Sequence, residues 1–189
     1  MTPSALAARS LMLIVALSAL VQAADPAPVA ISYVDLTPAY PFPGWTGHPL
    51  LGKEAYETRF APEIPEQAAG VKWMKEVALN DGQVDLQQEL NHAICCATYA
   101  RVTLESSAET KVRIRMGADD GVGVIINGKK VFSVNQNKGL NRNEHSVEAA
   151  LNKGVNTILF RVVNAANDYG LQFNITPLDG ATVTQIDAP

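Results

Sequence analysis

The sequence predicts an all-β chain, an antiparallel β-sandwich or jelly roll, from three observations. From Thr98 onward apolar and polar residues alternate with a period of two. Turn-forming residues separate the alternating runs at near-regular spacing, and no helical period follows residue 90.

The elements follow in order. Thr98, Ala100, Val102 and Leu104 share one face of the first run, Val112, Ile114 and Met116 one face of the second, and Val122, Val124 and Ile126 one face of the third. Arg101, Lys111, Arg113 and Arg115 take the opposite face, as expected where one side of a sheet meets water. Asn127-Gly128 tolerates positive φ at both central positions of a tight reversal, so a hairpin is expected to join residues 122–126 to 131–134. The polar residues 135–144 read as a long loop. Val147 and Leu151 resume a short strand, Asn152-Lys153-Gly154 turns the chain, and residues 157–163 form the most apolar strand. Leu171, Phe173 and Ile175 alternate in the last. Upstream, residues 85–92 suit a helical turn, and 71–77 suit a strand with Trp73 inward.

The N-terminus reads as an export signal. Arg9 precedes an apolar run at 11–21, and Val21-Gln22-Ala23 offers small residues at the spacing a signal peptidase reads. The alternative, a membrane anchor, is too short: the 11 residues of that run rise about 16 Å as a helix, against a hydrocarbon core of about 30 Å. The expected organisation is a signal peptide at 1–23, a Pro-rich extended leader over the domain surface at 24–50, a β-sandwich domain at 51–177 and a C-terminal tail at 178–189. The expected destination is periplasmic or secreted, with no membrane span after cleavage. Tyr33, Tyr40, Phe42 and Trp45 among the leader prolines are read either as packing onto the domain or as aromatics for a sugar.

Composition excludes several function classes. An apolar share of 47% with 18% charged residues is that of a folded chain, not a disordered one. A net charge of −4 argues against an electrostatic nucleic-acid binder. Three His and two adjacent Cys leave little for a transition-metal site or a His-based triad. Cys95 and Cys96 are read as two unlinked thiols, at least one buried, or as a strained vicinal disulfide.

A resemblance emerges from the motifs. Residues 117–129, GADDGVGVIINGK, resemble a signature of galactose-binding-like β-sandwich modules of exported bacterial proteins. Residues 151–162, LNKGVNTILFRV, resemble their L-x-x-G-x-N strand pair, and Trp73, residues 82–86 and Tyr99-Ala100 resemble their entry segment. The likeness spans residues 60–177. It implies a galactose-binding-like sandwich and, from modules of the protective-antigen type, an Asp-Asp pair that coordinates Ca²⁺ together with sugar hydroxyls.

The site candidates are read beside that resemblance. Gly117 and Gly121 bracket Asp119 and Asp120 in what reads as a tight turn. The two acids are read either as Ca²⁺ ligands, with amide oxygens from Asn135, Asn137, Asn141, Asn143 or Asn164, or as caps that accept backbone N–H bonds. Asn164, Asp168 and Tyr169 belong to a second polar cluster. Tyr169 suits stacking on a sugar ring or closing the sandwich end. The expected function is non-catalytic recognition of carbohydrate through end loops, Ca²⁺-assisted or with no cofactor. The alternative is a structural or protein-interaction domain bound to an envelope protein. Catalysis by convergence of Asp119, Asp120, Glu144 and Asp168 is the least supported reading.

Overall fold

A computed structural model describes residues 26–41 and 73–189. The signal segment, Phe42 and Trp45 lie outside the described residues. Among those described, no helix is long and apolar enough to cross a membrane.

The described chain forms strands β1 (Tyr33–Leu36), β2 (Tyr40–Pro41), β3 (Met74–Ala78) and β4 (Gln83–Val84), the short helix α1 (Leu86–Glu89), then β5 (Cys96–Ser106), β6 (Thr110–Asp119), β7 (Gly121–Ile126), β8 (Lys129–Val134), β9 (His145–Leu151), β10 (Gly154–Asn164), β11 (Gly170–Pro177) and β12 (Val183–Gln185). They make two antiparallel sheets, so the fold is the β-sandwich that the period-two alternation predicts. The larger sheet runs β3-β1-β5-β10-β7-β8, with β2 and β12 also paired to β5; the smaller runs β4-β11-β6-β9. The helical turn expected within 85–92 is α1, whose Asp85 side chain caps it by accepting the Gln88 N–H at 3.1 Å.

The core lies between the inner faces. Ala100, Val102 and Leu104 from β5 meet Val112, Ile114 and Met116 from β6, all buried, and Phe160 stacks on Phe173 with ring centroids 4.4 Å apart. The Asn127-Gly128 reversal has φ of 49° and 79°, as the expected hairpin requires, and joins β7 to β8. Its Asn127 amide also ties two turns together. Asn127 Nδ2 donates to Asn156 Oδ1 at 2.8 Å, while Asn127 Oδ1 accepts the Thr157 N–H at 2.9 Å. Asn156 in turn donates to the carbonyls of Asn152 and Gly154. The asparagines of the N-G-K and G-x-N motifs thus fasten one end of the sandwich.

Four expectations need correction. The leader is woven into the larger sheet instead of lying over the domain: β1 pairs with both β3 and β5, and Val34 and Leu36 are fully buried in the core. The tail likewise contributes β12, which pairs with β5 at Leu104–Ser106. Arg101 does not face water. Tyr99, Ile125 and Leu159 form a second buried cluster on the outer face of the larger sheet, against which Tyr40 and Trp73 pack. Trp73 is therefore on that outer face, not inward. Beside it Arg101 forms an ion pair with Asp35 at 2.7 Å, and its guanidinium lies 4.1 Å from the centroid of the Trp73 ring. The solvated face expected from the alternation belongs to the smaller sheet, where Arg113 pairs with the exposed Glu148.

Candidate ligand-binding site

Asp119 ends β6 in the smaller sheet and Gly121 begins β7 in the larger one, so Asp119 and Asp120 occupy the step by which the chain changes sheets. That step buries both side chains, to 6% and 3% exposure. Asp120 Oδ2 accepts the Ala165 N–H at 2.7 Å, the Asp120 carboxyl also accepts a backbone N–H of Lys138, and the Asp120 N–H donates to the Val163 carbonyl at 2.8 Å. Asp120 thus accepts backbone N–H bonds as a cap does. Asp119 differs. Burial, the neighbouring Asp120 charge and then Asp168 push its carboxyl up to about 7. Asp120 is raised as well, chiefly by burial, against the Ala165 and Lys138 backbone bonds and the Asp119 bond, which lower it, so the two carboxyls titrate as a coupled pair.

Gly117 owes its place to a close approach and not to a tight turn. It lies within β6, and a Cβ there would stand 1.9 Å from the Asn141 carbonyl oxygen. The long β8–β9 loop therefore runs directly over the strand. The same crossing brings Gly139 against Asp119, whose Oδ2 would be 3.9 Å from a Cβ at Gly139.

The other sequence candidates divide. Asn164 is fully buried; its Nδ2 donates to the Ala93 carbonyl at 2.8 Å, while its Oδ1 has no hydrogen-bond partner. It precedes Ala165, whose N–H is held by Asp120, so Asn164 belongs to the same end of the sandwich. Tyr169 is 2% exposed and donates its hydroxyl to the Val162 carbonyl at 2.7 Å. Its ring closes the sandwich end, the second of its two readings, and presents no face for stacking. Asp168 is exposed and near enough to Asp119 to act on its charge. Asn143 Oδ1 is engaged by Gln172 and Asn174, and Asn135 and Asn137 are exposed. Glu144 pairs with Lys138 and lies 3.6 Å from His145 Nε2. Among the described residues no three His, Cys, Asp or Glu side chains converge as metal ligands. Both cysteines are free thiols, with Cys96 buried in the core as a small hydrophobe and burial pushing it up to about 12.

A cleft of about 650 Å3 opens beside Asp119, with Asp168 and Tyr169 also in its lining. Three further lining residues carry no individual signal in the sequence. Gln83 and Gln87 come from β4 and α1, and Arg142 comes from the β8–β9 loop, where it pairs with Asp81 at 2.6 Å. The one local signal was the density of polar residues in 135–144. The cleft combines carboxylates, amides and a guanidinium, groups suited to a polyhydroxylated ligand.

No protein-family model and no curated protein matches the sequence. Among solved structures the chain is similar to a family 35 carbohydrate-binding module from an environmental isolate, at 16% identity over 48% of this chain and 72% of that one, with a TM-score of 0.35. It is also similar to a PA14 sugar-binding domain from an RTX adhesin, at 17% identity over 82% and 73% of the two chains and a TM-score of 0.37. A third likeness is to a β-glucosidase from Kluyveromyces marxianus in complex with glucose, at 11% identity and a TM-score of 0.44; it covers 76% of this chain but only 16% of the enzyme. At these scores all three are distant likenesses of fold.

Proposed function

We propose that this protein is an exported, non-catalytic module that recognises carbohydrate in the Asp119 cleft, with Ca²⁺ held by Asp119, Asp120 and Asn164. The observation that carries the reading is Asn164 Oδ1, a buried acceptor without a partner at the same end as two buried carboxylates. An unsatisfied buried acceptor costs about 1–3 kcal/mol, and buried like charges cost more, so the site suits an oxygen-seeking cation. The donor set fits in part. It supplies side-chain oxygens from three residues, whereas Ca²⁺ takes about six to eight, which leaves positions for backbone carbonyls and for ligand hydroxyls. Bound there, the ion would supply positive charge that orients hydroxyl oxygens. Asp120 keeps its capping bonds to Ala165 and Lys138 and so holds the β8–β9 loop at the cleft rim. The resemblance of 117–129 to galactose-binding-like β-sandwich modules, and the Asp-Asp pair that this likeness compares with modules of the protective-antigen type, support the same reading, and the 1–23 segment supports export.

The test is calorimetric titration of the processed protein with Ca²⁺, followed by a panel of neutral and acidic glycans with and without the ion. Saturable Ca²⁺ binding that is lost in Asn164→Ala, and glycan binding that needs the ion, are expected. Protein that binds neither refutes the proposal.

A further inference from the structure

A second groove, of about 510 Å3, lies on the solvent side of β11. Its floor carries Gln172 and Asn174, and its far wall is the stretch around Val29 and Ile31, which is fixed to β11 by a bond from the Val29 N–H to the Ile175 carbonyl at 2.7 Å. Three stretches of chain pass from this groove into the Asp119 cleft. The turn into β4 gives Asp81 and Gly82 to the groove, then Gln83 and Asp85 to the cleft. The β8–β9 loop gives Gly139 and Leu140 to the cleft and Asn143 to the groove. Strand β11 begins at Gly170 in the cleft and reaches Asn174 in the groove, a run of about 13 Å. Arg142 lines both.

We infer that the cleft and the groove are consecutive subsites of one trough, and that the ligand is a neutral oligosaccharide bound along its length and not a single terminal sugar. This rests on the carbohydrate reading above and adds to it the ligand's length and charge class. Each depression has a volume in the range of about 300–1,000 Å3 that holds a drug-sized molecule, more than one monosaccharide needs. The groove offers amides beside aliphatic side chains, which matches a sugar's hydroxyl edge and its C–H face. At the junction stands the Arg142–Asp81 pair, with side chains 45% and 81% exposed. An exposed pair of this kind holds its geometry only weakly, so a chain crossing the junction can displace it at little cost. Neutrality follows from the lining: with Asp119 and Asp120 offset by the Ca²⁺ they hold, Asp81, Asp85 and Asp168 still outnumber the single guanidinium of Arg142.

The experiment is calorimetry on the whole processed protein in Ca²⁺, using neutral β-1,4-linked gluco-, xylo-, manno- and galacto-oligosaccharides from monosaccharide to hexasaccharide, with an oligogalacturonate hexasaccharide as the charged arm. In the series that binds, affinity is expected to rise about tenfold or more from monosaccharide to hexasaccharide. Asn174→Leu, checked for an unchanged unfolding midpoint, is expected to erase most of that ratio, and so is Ala30→Glu, placed on the exposed far wall. A monosaccharide that binds as tightly as its hexasaccharide overturns the trough while leaving the carbohydrate reading intact. Tighter binding of the uronate chain overturns the neutral class, and no binding by any saccharide overturns both readings.

Discussion

Replacing Asp119 with Asn, in the presence of chelator, tests the electrostatics of the sheet-crossing step. In the fold the Asp119 carboxyl is pushed from 3.8 up to about 7, chiefly by burial and then by Asp120. A carboxyl whose folded value lies above its unfolded value binds more protons folded than unfolded, so its stabilising effect is complete below about pH 4 and is lost as pH rises through about 7. Spread over that window, the loss is on the order of 4 kcal/mol. Asn has the shape of the protonated acid, can donate to Asp120 as the acid does, and does not titrate. Urea unfolding in chelator at steps across this window should therefore give equal stabilities for Asp119→Asn and the parent at the acid end, with the variant the more stable at pH 8 by a few kcal/mol. Parallel pH profiles for the two proteins would refute the raised Asp119 carboxyl. Added Ca²⁺ should flatten the parent's profile, because the ion replaces the missing countercharge.

Gly117→Ala should cost about 1–3 kcal/mol or more in urea unfolding, since the new Cβ would meet the Asn141 carbonyl oxygen at 1.9 Å and must lift the loop that carries Gly139 and Arg142. Phe160→Ala empties a fully buried position stacked on Phe173 and should lower stability by about 3–5 kcal/mol, read as a drop in Tm. Asn156→Ala removes the amide that joins the Asn127 and Asn152 turns and should cost about 2–4 kcal/mol while leaving calorimetric Ca²⁺ binding unchanged, because it acts at the opposite end of β7 from Asp120.

Strands β6 and β9 were legible because each buries one face, and a face buried on one side writes itself as alternation; β5, β7 and β10 keep the same inward set although their other face is covered too. The Asn-Gly reversal was legible because its backbone demands those residue types. Arg101 was misjudged for the same reason: alternation records which residues share a face, not whether that face is covered, and Trp73 and Tyr40 cover it from far away in sequence. β1 was hidden by the prolines around it, although Val34 and Leu36 bracket Asp35 in an ordinary inward-outward pattern. At the site, Asp119 and Asp120 were read as one cluster and Asn164 with Asp168 and Tyr169 as a second; the structure sets both at one end of the sandwich, where short polar links between strands collect. The part played by Gly117, the burial of Tyr169 and the presence of Gln83, Gln87 and Arg142 were not legible. Each depends on where the β8–β9 loop comes to rest, and no local pattern encodes that.

The longest strands, β5 and β10, pair along their whole length, but the other margin of β5 is tiled by three short segments in succession: β2 at Cys96 and Ala97, β1 at Ala100 and Arg101, and β12 at Leu104–Ser106. An uncovered strand margin is a template on which another copy can crystallise its own backbone. Truncation ahead of Val183 would strip the last tile, and the Gln185 amide that clips it to Ser32 and Tyr33 would go with it. The damage from such a cut would then scale with protein concentration, as fibrous self-addition instead of ordinary melting.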